Sequence, residues 1–436
     1  MTETGTTKTG RTVYIIDGSR APCLKARGVP GPFSASDLAV NSARPLLARQ
    51  PFEPGAIDQV ILGCIMPSPD EANIARVVAL RLGCGNYVPA WTVQRNCGSG
   101  MQAIDSAARD IALGRADLVL AGGAESMSHA PLMFSKAMVT WLGQFSMARD
   151  FGAKLKTAVQ FRPGFLKPVI ALLRGLTDPV VGLSMGQTAE VLAYRFGISR
   201  ELMDSYAVRS HQRLAAAFAG KRLPEIEVIY DWQGKYYEQD DGVRPDSSVE
   251  KLGKLKPVFD REFGLVTAGN SAQVTDGAAW VILASETAIK KYQLPVLARI
   301  VDSEWAGLEP QQMGLGPVHA MTPIMKRQKL ALENIDYFEI NEAFSAQILA
   351  CIAAWQDTDY CRKELHMRSA MGEINQDRLN IDGGGISLGH PVGASGARII
   401  LHLCHVLQQK GANRGMASIC IGGGQGGAML IERDAA

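Results

Sequence analysis

Along the chain, short unbroken runs of Val, Ile, Leu and Ala alternate with longer stretches in which apolar residues recur every three or four positions. The runs Val13 to Ile16, Gln59 to Leu62, Leu118 to Ala121, Trp280 to Leu283 and Ser418 to Ile421 are almost free of charge. That pattern predicts strands covered on both faces rather than strands with one wet face. The three- and four-residue spacing predicts helices over Asn73 to Leu82, Thr188 to Phe196, Arg200 to Phe218, Ala343 to Trp355 and Ala394 to Gln409. Alternation of the two kinds of segment gives an α/β fold class built in layers. The helix from Arg200 is expected to end at Gly220, with that glycine left-handed.

The pattern repeats itself. Ser99 and Gly100 open a predicted helix that runs to Gly114, and a strand then leads into Gly122 and Gly123; Ser395 and Gly396 open one that runs to Gly411, and a strand leads into Gly422 and Gly423. The two Gly-to-Gly spacings, 22 and 26, differ by little more than a short loop extension. Two α/β halves of similar topology are the economical reading. Two regions break the rhythm: 131 to 183 lacks a strand pattern and carries two short amphipathic patterns, and 230 to 260 is polar and turn-rich. The expected organisation is therefore an N-terminal half over 1–127 completed by 263–285, an insertion over 128–262, and a C-terminal half over 286–436.

Composition narrows the class. Of 436 residues 47% are hydrophobic, which excludes disorder for most of the chain, and a net charge of +2 gives no nucleic-acid footprint. No run approaches the roughly 18 apolar residues of a membrane span, and the start MTETGTTKTGR has no apolar signal core, so a cytoplasmic location is expected. The eight cysteines are scattered, without CxxC pairs, and the seven histidines include no HExxH, so no metal is called for.

Chemistry is concentrated at strand ends and helix starts. Between Gly383 and Gly427 there are 13 glycines in 45 residues, a density that means close backbone approach or positive φ at several points. NCGSG (96 to 100) puts Cys97 just before a helix, where the dipole and free N–H groups favour thiolate over thiol. GHPVGASG (389 to 396) sets His390 in a glycine-bounded loop, and CIGGGQG (420 to 426) ends a buried strand on Cys420. NEAF (341 to 344) places Asn341 and Glu342 at a strand-to-helix transition, where such side chains either cap the helix or face a site.

Taken together and in this order, NCGSG, NEAF, GGGISLGHPVGASG and CIGGGQGG resemble the signature segments of the thiolases, which are acyl-CoA C-acyltransferases. AGGAESMS, MGQTAE, TAGNSAQVTDGAA and MGLGP extend the resemblance over Val13 to Glu432. It implies a five-layered α/β/α/β/α fold of two similar halves with an inserted loop domain, assembled as dimers or tetramers. It also implies roles: Cys97 as the nucleophile that carries the acyl group, His390 as its activating base, and Cys420 as the second acid/base at the acetyl-CoA α-carbon. One oxyanion hole would use His390 with a water held by Asn341; the other would use the backbone N–H groups of Cys97 and Gly422. Met185, Met313 and Phe344 would border the acyl and pantetheine tunnel, and Ser271 would contact CoA.

Ser184 before Met185, and the insertion-like CRKELHMRSAMGEINQDRLN (361 to 380), look like the thiolase subunits of fatty-acid oxidation complexes. The expected reaction is thiolysis of 3-ketoacyl-CoA in β-oxidation, with acetyl-CoA acetyltransferase activity second and a non-enzymatic lipid carrier a remote third. Coenzyme A is then a substrate, and no separate cofactor is implied. Residues 131 to 183 hold seven basic against two acidic residues and six aromatics. Met138, Trp141, Leu142 and Phe145 recur at helical spacing, as do Phe165, Leu166, Val169, Ile170 and Leu173. A basic amphipathic surface of this kind is expected to dock on a hydratase/dehydrogenase partner subunit or an anionic membrane face.

Overall fold

The computed structural model describes residues 10–433. Residues 1–9, most of the start read above for a secretory signal, and 434–436 lie outside it. Ten strands form one sheet: β1 (Val13–Arg20), β2 (Leu24–Lys25), β3 (Gln59–Gly63), β4 (Ala90–Val93), β5 (Leu118–Ser126), β10 (Thr275–Ser285), β11 (Ala298–Gly307), β12 (Tyr337–Ile340), β13 (Arg414–Ile421) and β14 (Gln425–Glu432). The remaining four make two small hairpins, β6 (Leu132–Met133) with β7 (Val169–Ile170) and β8 (Ile229–Tyr230) with β9 (Tyr236–Tyr237).

In the large sheet the order is β12-β13-β14-β11-β1-β10-β5-β3-β4, with β2 paired to β10. The join between its halves is short: only Val13 to Ile15 of β1 pair with Ala298 to Ile300 of β11. Helices Ala35–Ala48 and Ile74–Arg81 cover the first half-sheet, and helix Gly316–Gln328 packs on the second, with Ser345–Gln356 and Met185–Arg195 in the same apolar cluster. Helices Ser99–Ala112 and Ser395–Lys410 pack on each other between the half-sheets. Five layers result, and the apolar strands β5 and β10, buried along their whole length, are what such layering requires. Among the described residues no helix is long and apolar enough to cross a membrane.

All five expected strands and all five expected helices are present, within a few residues at their ends. Four details depart from the sequence reading. Gly220 is not left-handed (φ −83°); the left-handed residue is Lys221 (φ 52°), because the Gly220 N–H still bonds the Ala216 carbonyl at 2.9 Å and the reversal comes one residue later. Arg222 N then bonds the Ala217 carbonyl, closing the turn. In the repeat, both helices do end at left-handed glycines (Gly114 and Gly411), but β5 runs through Gly122 and Gly123 whereas β13 stops before Gly422.

The insertion supplies the other two. The stretch 131–183 contains a strand pair after all, β6 with β7. The pattern from Phe165 to Leu173 is not one helix: a 3₁₀ turn (Pro163–Leu166) gives way at Pro168 to β7 and then to the short helix Ala171–Gly175. Proline holds its predecessor Lys167 extended (ψ 113°), so the helical spacing cannot be used. The first pattern, by contrast, is one face of helix Lys136–Met147, capped by Ser135.

Candidate active site

Each of the two central helices begins where the chain is pressed closely against the other. A Cβ at Gly100 would lie 2.8 Å from the Gly393 carbonyl oxygen, and one at Gly396 would lie 2.5 Å from the Met101 amide nitrogen. Only glycine permits the two helix starts to converge this closely. Convergence brings the NCGSG turn, the His390 loop and the end of β13 into one region.

In the NCGSG turn, Asn96 is left-handed (φ 42°) and donates from Nδ2 to the Gly422 carbonyl at 2.8 Å. Ser99 Oγ donates to the Asn96 carbonyl at 2.7 Å and accepts from Arg95 N at 2.8 Å, so the serine holds the turn from inside. Gly98 lies flush against Ile421 and Trp305. Cys97 is half-buried, and burial pushes its thiol up to about 11, against the pull of the Gly422 N–H and of its own N–H; the Glu125 carboxylate adds to the rise. This corrects the expectation of a thiolate: desolvation outweighs the helix start, and the resting group is S–H.

Cys420 is buried one residue before the end of β13. Burial pushes its thiol well above the usual range, and charge on Cys97 and then Cys351 pushes further, so the first two sulfurs lie within electrostatic reach of one another.

His390 is 8% exposed, and its backbone N–H donates to the Gln273 carbonyl at 3.1 Å. Its Nδ1 lies 2.6 Å from Ser395 Oγ, which in turn donates to the Pro391 carbonyl at 3.0 Å. A hydroxyl with its one proton spent on Pro391 must accept from the ring, so this network assigns the proton to Nδ1 and leaves Nε2 as a free acceptor. Burial, with Arg398 nearby, lowers the imidazole to about 4, so it is neutral at physiological pH. Asn341 Nδ2 is 3.5 Å from both ring nitrogens, a contact too long and too even to be a directed bond, and Asn341 Oδ1 is buried without a protein partner.

Glu342 neither caps a helix nor faces the site. It accepts from Tyr206 Oη (2.9 Å), Ser210 Oγ (2.6 Å), Asn380 Nδ2 (3.0 Å) and Ile386 N (3.3 Å), which anchors the β12 corner that carries Asn341.

A cavity of about 400 Å³ opens onto Cys97, Asn96, Gly422 and Met185, with Ile65, Met66 and Val392 on its flanks and residues 174–180 of the insertion as a further wall. Of the expected tunnel residues Met185 lines it; its sulfur would be 3.1 Å from a Cβ at Gly422. Met313 and Phe344 are instead buried in the C-terminal core cluster, where Phe344 meets Phe259 edge-on at 6.0 Å. Ser271 Oγ donates to the Thr267 carbonyl at 2.6 Å, and its backbone bridges to Phe344. His390, Cys420 and Asn341 are not among the residues lining this cavity. The sequence assigns no role in the site to Ser395 beyond opening a helix, to Glu125, or to the 174–180 wall, which it places only within the docking stretch 131–183; the five-residue interval from His390 to Ser395 is the available signal for the first.

Residues 13–287 match the family described as Thiolase, N-terminal domain, and residues 294–433 match Thiolase, C-terminal domain. The 3-ketoacyl-CoA thiolase of Erwinia tasmaniensis is 38% identical over 431 residues, covering 97% of this chain and 99% of its own. The crystal structure of human mitochondrial 3-ketoacyl-CoA thiolase in complex with CoA is similar with a TM-score of 0.82 at 36% identity, covering 98% of each chain. The acetyl-CoA acetyltransferase structure from Syntrophomonas wolfei gives 0.84 at 31% identity, over 98% of this chain and 100% of that one.

Proposed function

The chain belongs to the thiolase family and is an acyltransferase enzyme, and we propose that it cleaves 3-ketoacyl-CoA with CoA through a thioester on Cys97. What supports this reading is that the turn carrying Cys97 at the head of the cavity and the loop carrying His390, a neutral imidazole held at Nδ1 by Ser395, come together where the two central helices begin. A thiol near 11 and an imidazole near 4 do not exchange a proton at rest. Transfer from Cys97 Sγ to His390 Nε2 therefore accompanies attack on the C3 carbonyl, the arrangement expected of general-base catalysis rather than of a preformed ion pair.

The C3 oxygen gains the charge, and the N–H groups of Cys97 and Gly422 or the His390–Asn341 pair receive it. Collapse breaks the C2–C3 bond, leaves the acyl group on Cys97, and expels the acetyl-CoA enolate, which takes its C2 proton from Cys420 Sγ. Coenzyme A then enters as the second substrate; the Cys420 thiolate removes its thiol proton, the CoA sulfur attacks the thioester, and Cys97 leaves with the proton held by His390. Every group returns to its starting state. Run backwards, the same steps condense two acetyl units, which is the second reading.

Incubation with 3-ketoacyl-CoA of four to sixteen carbons, with peptide mass mapping, is expected to show CoA-dependent cleavage and the acyl group on Cys97. Label on Cys420 or Cys84 with Cys97 unmodified removes the assignment.

The same proposal divides the chain into halves 1–127 with 263–285 and 286–436 around a loop domain 128–262. A homodimer or tetramer is supported by β4, an edge strand paired only to β3 and carrying the exposed Trp91, open to pairing with a second copy. Within 131–183, Trp141 stacks on Phe145 and meets Phe161 edge-on, Phe161 meets Phe165 edge-on, and Trp141 Nε1 donates to the Thr157 carbonyl at 2.8 Å. Phe134, Val139, Phe151, Leu155 and Leu166 are left facing outward among the lysines and arginines. This favours reversible contact of a cytoplasmic protein with an anionic membrane face, a hydratase/dehydrogenase subunit being the competing partner. Making Phe134, Leu155 and Leu166 polar should abolish liposome co-sedimentation at low salt and spare thiolysis; binding that survives the change, or no binding by the intact protein, rejects the membrane.

A further inference from the structure

Glu125 stands in β5, fully buried, and no basic side chain among the described residues forms an ion pair with it. Its oxygens are nevertheless occupied. Oε1 accepts from Met66 N at 2.9 Å and faces the Cys64 thiol at 3.8 Å; Oε2 accepts from Ile65 N at 3.0 Å and Gly393 N at 3.1 Å. These partners belong to separate parts of the site. Ile65 and Met66 flank the cavity, and Gly393 lies three residues beyond His390, next to the cavity residue Val392. The fit is tight: a Cβ at Gly393 would stand 2.7 Å from Glu125 Oε2 and 2.7 Å from the Ala124 carbonyl.

We infer that Glu125 is a positioning residue, tying the cavity wall at Ile65 and Met66 to the His390 loop and fixing the charge that Cys97 faces. The inference rests on the reading of Cys97 as nucleophile and His390 as base. A carboxylate used here, where an amide would fill the same space, makes four contacts with donors only. An amide at this position presents one acceptor oxygen and turns an N–H₂ toward either Met66 N or the Ile65 and Gly393 pair, so one tether must open. The titratable groups facing Glu125 are the Cys64 and Cys97 thiols, Cys64 in turn feeling Glu71. Burial holds Glu125 up near 7 against the pull of the three N–H groups, so at pH 8 the carboxylate carries its charge.

Two variants separate the tether from the charge. Glu125→Gln removes the charge beside Cys97, so the thiolate becomes easier to form: alkylation of Cys97 by iodoacetamide at pH 8 should rise, by about tenfold for a thiol shift of one unit. Thiolysis kcat should fall by about 10- to 100-fold as the His390 loop drifts, with the substrate KM moving less. Glu125→Asp keeps the charge but withdraws it by one methylene, so the alkylation profile should stay close to that of the unaltered enzyme while kcat falls. Hydrogen exchange adds a measurement on the folded enzyme itself: the amides of Ile65, Met66 and Gly393 should be protected, and all three should speed up together in Glu125→Asp. The inference is overturned if Glu125→Gln folds with both the alkylation profile and kcat unchanged, or if the three amides exchange independently. Neither alkylation nor exchange requires thiolysis, so they judge the tether even if mass mapping moves the acyl group away from Cys97.

Discussion

His390 and His402 are both buried, twelve residues apart, one in the loop that leads into helix Ser395–Lys410 and the other at the middle of that helix. Burial pushes each imidazole down, yet they finish on opposite sides of neutrality. His390 has a serine and the positive charge of Arg398 for company and ends near 4. For His402 burial is outweighed by three carboxylates, Glu225 at 2.9 Å, Asp382 at 3.5 Å and Glu339 at 3.9 Å, and the ring ends near 10. The difference separates a base from a brace. A neutral ring with one proton fixed by Ser395 has a lone pair to offer, whereas a charged ring between carboxylates has none and serves to hold Glu225, Glu339 and Asp382 together beneath the helix.

The largest effect should come from collapsing that contrast at His390. In Ser395→Ala the ring loses the acceptor that keeps its proton on Nδ1, and the tautomer with Nε2 protonated becomes accessible. Thiolysis kcat should fall by about 100- to 10,000-fold, the range general-base catalysis contributes. Steady-state kinetics with one fixed 3-ketoacyl-CoA checks it, and a fall of less than tenfold means the tautomer is held by something other than Ser395. A Cys420→Ser variant, in the same range, should still acylate Cys97 while losing exchange of the acetyl-CoA methyl protons with solvent, because a hydroxyl is too weak an acid for the proton at C2. Exchange near the unaltered rate moves that role elsewhere.

His402 should register in stability instead. His402→Leu leaves Glu225, Glu339 and Asp382 buried without the cation among them, although Arg20, Arg398 and Arg222 remain on their other sides. Removing one partner from a buried charge cluster costs about 3 to 5 kcal/mol. Denaturant midpoints should show the loss, and the surviving folded enzyme should keep its kcat; the converse result, intact stability with lost activity, would turn His402 into part of the chemistry.

The pattern of strands and helices was legible because burial on both faces leaves an uninterrupted apolar signature, as β5 and β10 do, and because glycine pairs mark where backbones must touch, as Gly123 and Gly393 do. Pro168, in plain view, was reason enough to doubt a helix from Phe165 to Leu173. The electrostatic state of the site was not legible. Whether a cysteine before a helix is thiol or thiolate depends on how much water its surroundings exclude, and for Cys97 those surroundings come from β13, the Glu125 strand and the turn itself, over 300 residues of chain. His402 makes the same point more sharply, since its three carboxylates come from positions 225, 339 and 382 and no spacing near His402 announces them.

The smallest effect is in the pH dependence of folding, where the two histidines should pull in opposite directions. His390 falls from an ordinary value near 6.5 to about 4, so between those limits the unfolded chain binds the extra proton. Its contribution is whole above pH 6.5 and is lost as the pH falls toward 4, by roughly 3 kcal/mol in all. His402 rises from 6.5 to about 10, so the folded chain holds the extra proton there; its contribution is whole below pH 6.5 and is lost as the pH climbs toward 10. The stability maximum should therefore sit near pH 6 to 7 with a shoulder on each side, and each shoulder should have its own owner. Denaturant unfolding from pH 4.5 to 9.5 at constant ionic strength would read this, with His390→Gln flattening the acid side alone and His402→Leu the alkaline side alone. If both sides survive in both variants, other titrating groups set the curve, and the two rings do not hold the opposite protonation states assigned to them.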